Sequence, residues 1–399
     1  MQRPPSILFV NRVFPPDRGA SGRRLADLAG RAVRAGWRVT VLVDGQGAAE
    51  APHGVAVVPA GGAREGRPGM SGYLAALVRL AARGMALPRH DVVVTMTDPP
   101  LLALAGPLLA LRHGIALHWC LDLFPALLPV LGVRLPALLE RLLRGAMAGA
   151  LKRHGAVVAI GRCMAERLCE LGVPDGAVTV LPNWGDPAIR PLPRAASALR
   201  AELGLGERFT VVYAGNFGLA HPLGALIDAA AALPEVAFLL VGDGRGHAAV
   251  TTAAGQLPNV RLMPFQPAAR LADTLAAADL HVAAMDPRAE GLLVPCKVAG
   301  VLAAGRPCLF LGPPGSEAAR LIADHACGAV LDPTDGGGLA AAVRAYAADP
   351  ARCTDEGMRA LAVAVGWDAD AAAARFLALA ATLRAARRAV PAAWEPGRG

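Results

Sequence analysis

The chain has 399 residues, of which 54% are hydrophobic and 18% are charged, so it is long enough for two domains and too apolar to be disordered. The net charge of +8 arises in residues 1–190, which hold 22 basic and 13 acidic residues, while residues 191–399 hold 18 and 19. A basic first half suits phosphates or an anionic membrane surface. With only 4% aromatic residues, the sequence argues against a nucleic-acid partner.

The seven cysteines show no CxxC spacing and are odd in number, which predicts free thiols in a reducing compartment. The sequence contains no His/Cys cluster with the spacing of metal ligands, so no metal site is expected. The first residues, MQRPPSILFV, lead directly into a strand, so no signal peptide is expected. The longest apolar stretch, residues 99–111, is too short to span a bilayer. These features favour a cytoplasmic protein.

Apolar runs alternate with helical patterns along the first part of the chain, and the runs are continuous rather than alternating in polarity. Such strands predict a parallel sheet that is covered on both faces. The predicted strands are residues 7–10, 39–43, 55–58, 92–95, 116–120, 156–160 and 178–181. The predicted helices are residues 23–35, 73–85, 100–112, 135–153 and 162–171.

A Pro-rich connection, PNWGDPAIRPLPR at 182–194, precedes a second alternation of strands and helices. The fold class is therefore α/β, with two doubly wound Rossmann-like domains whose strand carboxyl ends face a shared cleft. The predicted domains are 1–185 and 208–367, joined by a linker at 186–207. An alanine-rich helix at about 368–390 is expected to pack back on the first domain.

Two glycine-containing loops follow strands of the second domain and are candidates for binding an anion. Gly215 and Asn216 lie in the first loop, and Gly242, Gly244 and Arg245 lie in the second. Glycines let backbone N–H groups approach a phosphate closely. An ordinary strand-to-helix turn is the alternative for the first loop, and the second resembles a dinucleotide fingerprint only loosely.

Lys297 lies in the first turn of a helix whose start is signalled by Pro295. The chain has only two lysines, Lys152 and Lys297, but 38 arginines. A compact ammonium suits a single phosphate oxygen better than a planar guanidinium does. Lys297 is therefore a candidate for neutralising a diphosphate, and a solvated surface lysine is the alternative.

The first domain has two candidate positions. Gly19, Ala20 and Ser21 precede a helix and could hold a phosphate or an acceptor, although helix capping explains them equally well. Asp122 follows a strand end, where a carboxylate could act as an acid or base or orient a hydroxyl. His118 alternates with apolar residues and is interpreted as a core histidine.

Five segments together resemble a known family. They are ILFVNRVFPPDRGASGRRLADLA, VVAIGRCMAERLCELGVPDGAVTVLPNWGD, VVYAGNFG, LLVGDG and VPCKVAGVLAAGRP. The chain resembles the retaining glycosyltransferases of family 4, which have the GT-B architecture. Within that family it is most similar to the bacterial WbuB-like group of surface-polysaccharide enzymes.

The resemblance implies that a nucleotide-diphosphate sugar is held mainly by the second domain and an acceptor mainly by the first. It also implies that neither a cofactor nor a metal is needed. The family's two glutamates are replaced here by Leu292 and Gly300, so Glu290 is the candidate for ribose recognition. The family's His-Asp pair is Leu121-Asp122, which leaves any base role to Asp122 or to the leaving phosphate.

The predicted function is transfer of a sugar, expected to be a UDP-linked N-acetylated hexosamine, to a lipid-linked or saccharide acceptor in cell-surface polysaccharide assembly, including lipopolysaccharide. A sugar-nucleotide epimerase and a catalytically inactive partner protein are the alternatives. Residues 138–153 mix leucines with basic residues, which predicts peripheral contact with the inner face of an anionic membrane. A sheet-packed helix with a solvated basic edge is the alternative.

Overall fold

The structure is a computed structural model that describes residues 3–16, 19–45, 51–62, 69–186 and 188–389. It divides into two units. Unit 1 comprises Met1–Ala126, Leu135–Leu181 and Asp370–Gly399, and unit 2 comprises Leu127–Arg134 and Pro182–Ala369.

Unit 1 is built on a sheet of seven strands that all run parallel. Three of the seven strands, Ser6–Val10, Val92–Thr95 and Ala156–Ala159, are buried along their whole length, as expected for a sheet covered on both faces. The strands are β1 (Ser6–Val10), β2 (Arg38–Val43), β3 (Val55–Pro59), β4 (Val92–Thr95), β5 (Ile115–Cys120), β6 (Ala156–Ala159) and β7 (Val178–Val180). Their spatial order is β3-β2-β1-β4-β5-β6-β7.

The helices of unit 1 include the long C-terminal helix, which returns to this unit. Its Phe376 ring lies 6.2 Å from the Phe9 ring and 5.3 Å from the Trp119 ring, so the helix contributes to the core. The helices are α1 (Ala20–Arg34), α2 (Met70–Ala86), α3 (Ala105–Arg112), α4 (Ala137–Leu151), α5 (Arg162–Glu170) and, at the end of the chain, α14 (Ala369–Ala389). The helix predicted at 23–35 thus begins three residues earlier.

Unit 2 repeats this plan with six parallel strands and a core of their apolar side chains. The strands are β8 (Thr210–Ala214), β9 (Ala237–Val241), β10 (Val260–Met263), β11 (Leu280–Ala284), β12 (Cys308–Leu311) and β13 (Gly328–Leu331), in the order β10-β9-β8-β11-β12-β13. The helices are α6 (Ala198–Glu202), α7 (Gly224–Ala232), α8 (His247–Ala254), α9 (Leu271–Ala276), α10 (Lys297–Ala303), α11 (Glu317–His325), α12 (Gly336–Ala347) and α13 (Pro350–Val365).

Two doubly wound parallel sheets confirm the predicted fold class. Unit 2 includes residues 182–207, which the sequence analysis divided between the first domain and a linker. The units also differ from the predicted domains at residues 127–134, which the sequence analysis placed in the first domain. Their contacts explain the difference, because the Arg245 guanidinium donates to the Leu131 carbonyl and a Cβ built on Gly132 would lie 3.3 Å from Leu219. In the part of the chain that the structure describes, no helix is both long and apolar enough to cross a membrane.

Candidate functional site

The order of strands in unit 2 reverses between β8 and β11. In doubly wound sheets such a switch point opens a crevice beyond the carboxyl ends of the strands, where ligands bind. The loop after β8 begins at Gly215, and α10 is the helix that follows β11. The loop with Gly215 and the helix that begins at Lys297, both predicted to bind an anion, therefore lie near this edge.

The loops after β8 and β9 pack directly against each other. A Cβ on Gly242 would lie 1.9 Å from the Gly215 carbonyl oxygen, and one on Gly244 would lie 2.4 Å from the Asn216 Oδ1. Phe217 donates its N–H to the Asp243 carbonyl at 2.9 Å. These glycines are thus required by the close approach of two loops, a packing role that the sequence alone did not show.

The backbone N–H of Gly215 also has a structural partner, because it donates to the Val241 carbonyl at 2.8 Å. The Gly242 N–H likewise donates to the Met263 carbonyl at 2.8 Å. These two amides therefore extend the sheet ladder by one residue. Any hydrogen-bond donors that these loops offer to a ligand must therefore be other backbone amides or side chains.

Gly242→Ala tests the packing of the two loops. Overpacking of a filled site costs about 1–3 kcal/mol, and we expect the free energy of unfolding to fall by about that amount. Urea unfolding of the full chain measures the effect. Gly224→Ala is the matched control, because a Cβ there meets nothing within 4 Å, and an equal loss in the two variants would contradict the packing role.

Lys297 is the first residue of α10, and its ammonium is held beside the loop after β8. The Lys297 Nζ lies 2.5 Å from the Tyr213 hydroxyl and 4.2 Å from the centre of that ring. The Tyr213 hydroxyl in turn donates to the Asn216 carbonyl at 2.9 Å. A Cβ on Gly215 would lie 3.0 Å from the Lys297 Cε, so the loop passes close to the lysine stem. Lys297 is therefore a partly buried, positioned cation rather than a solvated surface lysine.

Burial lowers the pKa of Lys297 to about 8, so the ammonium is still mostly protonated at neutral pH. His221 lies in the same region, where its Nδ1 is 2.7 Å from the Ala284 carbonyl oxygen. Burial, with the Lys297 charge adding to it, lowers the pKa of His221 to about 3. At neutral pH the site thus presents one cation and a neutral imidazole.

The other residues that were predicted to bind the nucleotide sugar lie in different surroundings. Arg245 is exposed and reaches the Leu131 carbonyl at 3.4 Å. Pro295 is buried just before α10. The Glu290 carboxylate packs over Gly315, where an added Cβ would lie 2.0 Å from Oε1. The structure thus brings together Lys297 and the loop with Gly215 and Asn216, while Glu290 is held by another loop.

Three carboxylates follow strands at the carboxyl edge of the unit 1 sheet. Asp98 forms a two-pronged ion pair with Arg12, with N–O distances of 2.7 and 3.0 Å. Asp44 pairs in the same way with Arg79, at 2.8 Å for both contacts. Asp122, the third, is partly buried, and burial followed by the charge of Asp98 raises its pKa to about 6. A carboxylate with a pKa near neutrality is suited to accept a proton.

The Gly19 to Ser21 segment is part of the start of α1 rather than a free loop. Gly19 is the N-cap residue, and no side chain among the described residues caps the helix. Ser21 lies in the first turn, where its Oγ accepts from the Asn11 Nδ2 at 3.4 Å. His118 is buried in the sheet with its Nδ1 3.0 Å from the Thr95 Oγ1, as its interpretation as a core histidine requires.

Sequence reasoning missed Tyr213 and the two ion pairs of unit 1. Asp44 and Asp98 each follow a strand, so the rule that selected Asp122 would also have selected them. Tyr213 stands inside the VVYAGN segment, but only the fold shows that its hydroxyl lies against a lysine 84 positions away. Among the residues that the structure describes, no group of three or more His, Cys, Asp or Glu side chains could hold a metal ion.

Solved structures with the same fold include HepE of Anabaena in complex with UDP, with a TM-score of 0.72 and 17% identity over 94% of this chain and 100% of that one. A sucrose-phosphate synthase of Thermosynechococcus elongatus has a TM-score of 0.77 and 17% identity, over 96% and 100% of the two chains. WaaG, a glycosyltransferase involved in lipopolysaccharide biosynthesis, has a TM-score of 0.68 and 16% identity over 93% and 98%. These likenesses define the GT-B architecture.

Family models match both units of the chain. Residues 19–184 match a glycosyl transferase 4-like domain, and residues 208–349 match glycosyl transferases group 1. Both models are of glycosyltransferases, enzymes that transfer sugars, so the matches confirm the enzyme class predicted from the sequence and support a family 4 glycosyltransferase. The narrower likeness to the WbuB-like group stays a prediction.

A relative in Escherichia coli (strain K12) is WcaI, which is named as a colanic acid biosynthesis glycosyl transferase. It is 31% identical over 171 residues, a stretch that covers 40% of this chain and 42% of WcaI. The match thus spans less than half of that relative, and it supports a glycosyltransferase of polysaccharide biosynthesis.

Proposed function

We propose that the protein is a retaining glycosyltransferase of the WbuB-like type. It would move a sugar from a UDP-linked donor, of the N-acetylhexosamine kind, to a lipid-linked or saccharide acceptor in surface-polysaccharide assembly. The observation that carries this proposal is the Lys297 ammonium, positioned by Tyr213 beside the loop after β8 at the switch point of unit 2. That HepE was solved with UDP and with UDP-glucose supports a nucleotide-sugar donor.

In the proposed reaction the bond between the anomeric carbon and the diphosphate oxygen breaks, and negative charge grows on the diphosphate. Lys297 stabilises that charge, so the proposal requires no metal ion and no cofactor. The acceptor oxygen forms the new bond to the anomeric carbon. Its proton passes to Asp122 or to the departing phosphate. Glu290 is the proposed ribose ligand, and Arg245 is a further proposed diphosphate contact.

A ligand screen followed by a transfer assay tests the function. We expect UDP-sugars to raise the apparent melting temperature more than GDP- or dTDP-sugars, because a ligand that binds only the folded state stabilises it. Labelled sugar should then be transferred only when an acceptor is present. Conversion of the donor without acceptor would instead identify an epimerase, and the lack of any nucleotide-sugar binding would identify an inactive partner protein.

We also propose that helix α4 lets the protein contact an anionic membrane. Leu138 and Leu142 are 62% and 60% exposed in its first half, although both are large apolar side chains. Exposed Arg141 and Arg144 lie among them. An apolar face beside basic residues is the pattern of helices that lie in the membrane interface. This location agrees with a lipid-linked acceptor on the cytoplasmic side.

Leu138→Gln/Leu142→Gln should reduce flotation with anionic liposomes by about tenfold or more, because each leucine loses on the order of 1 kcal/mol of apolar burial in the membrane. The matched control is Met358→Gln/Val365→Gln, which alters two side chains of α13 that are 59% and 72% exposed. Flotation that is equal for neutral and anionic liposomes at low salt would exclude the proposed contact.

A further inference from the structure

A charged cavity lies in unit 1, at the edge of the sheet opposite to the strand carboxyl ends. Ser6 is the first residue of β1, Asp91 immediately precedes β4, and Gly114 immediately precedes β5. These residues line a cavity of about 320 Å³ together with arginines from three parts of the chain. That volume is at the lower end of the range of small-ligand sites, about 300–1,000 Å³.

Among the described residues that line this cavity, four carry a guanidinium group and one carries a carboxylate. Arg3 comes from the segment before β1, Arg89 from the segment before β4, and Arg384 and Arg387 from one face of α14. The carboxylate is that of Asp91. Such an accumulation of like charge in one concavity is unfavourable by itself, and a bound anion would compensate it.

The residues that line the cavity are held in place by hydrogen bonds to one another and by close backbone packing. The Asp91 Oδ2 accepts from both the N–H and the hydroxyl of Ser6 at 2.9 Å, and its Oδ1 lies 3.4 Å from the Arg384 Nε. The Gly114 N–H donates to the His90 carbonyl at 2.8 Å. A Cβ on Gly114 would lie 1.6 Å from the Asp91 carbonyl oxygen, so only glycine fits there. The arginines thus surround a preformed surface.

The guanidinium groups retain donors for a ligand. Among the residues that the structure describes, Arg3 and Arg89 have no hydrogen-bond or ion-pair partner. Arg387 donates to the Gly114 carbonyl. Each guanidinium carries five N–H donors, so most of them remain open. The cavity therefore offers positive charge and unused donors together.

We propose that this cavity binds a phosphate monoester or a diphosphate group, at a site separate from the donor site in unit 2. A carboxylate would carry one negative charge and two oxygens, which a single arginine can satisfy. A phosphate monoester carries about −1.5 to −2 at neutral pH and presents three oxygens to several arginines. The group belongs either to a free phosphorylated metabolite or to the headgroup of a phospholipid.

Calorimetric titration with inorganic pyrophosphate tests the site. We expect the Lys297→Met variant, in which the donor site is weakened, to keep one binding event. Adding Arg3→Gln/Arg89→Gln should weaken that event at least tenfold, since charge-assisted hydrogen bonds to phosphate are lost. Both arginines lack a partner among the described residues, so the folded state should be retained, and circular dichroism checks this.

The matched control is Arg261→Gln/Arg344→Gln, which removes the same charge from exposed positions of unit 2. Flotation with vesicles of phosphatidic acid in phosphatidylcholine separates the two sources of phosphate. Reduced flotation of the Arg3/Arg89 pair identifies a lipid headgroup, and unchanged flotation with weakened pyrophosphate binding identifies a soluble ligand. If both readouts match those of the control pair, the site does not exist.

Discussion

Replacing Lys297 by methionine should lower kcat/KM by about tenfold to a few hundredfold. The lost interaction is a charge-assisted hydrogen bond, worth about 1.5–3 kcal/mol, and each 1.36 kcal/mol is a factor of ten in rate. The loss should appear in kcat with a saturating donor, because the charge on the diphosphate grows as the transition state forms. Lys297→Arg should restore only part of the rate, since the planar guanidinium is larger than the site of an ammonium.

The loss of activity in Lys297→Met should not arise from a loss of stability. Burial lowers the pKa of Lys297 to about 8, below its ordinary value of 10.5, so the folded state disfavours the protonated amine. At pH values below 8 that penalty is fully present, and it fades as the pH rises toward 10.5. Methionine removes the partly buried charge and keeps an unbranched apolar side chain of nearly the same length. The variant should therefore be at least as stable as the native protein at pH 7.

Lys152→Met is the matched control, because Lys152 is the other lysine of the chain and is exposed at the end of α4. With a water-soluble acceptor it should have native activity. Chelation by EDTA should leave the rates of all variants unchanged if Lys297 acts in place of a metal. Native turnover by Lys297→Met, with donor saturating, would show that the lysine has no part in the reaction.

Asp122→Asn should lower kcat by about 10²–10⁴-fold if the carboxylate is the general base, which is the usual contribution of such a group. Donor affinity should change little, since the proposed role concerns the acceptor hydroxyl. A collapse of donor affinity would assign Asp122 to another function. The measurement is steady-state kinetics with donor and acceptor varied independently.

The pH profile gives a second readout for the same residue. Because burial and the charge of Asp98 raise the pKa of Asp122 to about 6, kcat/KM should rise with pH through about 6 as the base loses its proton. It should fall again above about 8, where Lys297 loses its charge. The acidic limb should vanish in Asp122→Asn, and the basic limb should vanish in Lys297→Met.

The stabilities of the two asparagine variants should distinguish the role of Asp122 from that of the neighbouring Asp98. A raised pKa means that ionising Asp122 above about pH 6 costs folding free energy, so the asparagine variant should be equally or more stable at pH 7. Burial raises the pKa of Asp98 as well, but Asp98→Asn should be less stable, because it leaves the partly buried Arg12 guanidinium without its two-pronged partner. Loss of stability in Asp122→Asn would make that residue structural.

Much of the architecture could be predicted from the sequence because it depends on local patterns. Continuous apolar runs such as Ile7–Val10 and Ala237–Val241 have no polar face, so they must be buried on both sides in a parallel sheet. The strand-end rule then placed Asp122 and the loop at Gly215 at ligand-binding edges. The start of α10 at Lys297 followed from the proline two residues before it.

Other properties arise only when distant segments meet. No local pattern indicates that Gly242 must be glycine because the Gly215 carbonyl lies where its Cβ would be. The cavity with four arginines likewise combines residues 3, 89, 384 and 387, which share an edge only after α14 returns to unit 1.

The sequence by itself determined the periodicity of burial, the strand ends and therefore the fold class, since these follow from interactions between residues near in the chain. The tertiary structure decided which charges are compensated. Among the described residues, Asp44 and Asp98 each gained an arginine and Asp122 did not, and Lys297 gained a tyrosine hydroxyl in place of solvent. Coulombic and desolvation energies depend on distance in space and on burial, and neither quantity is a function of separation along the chain.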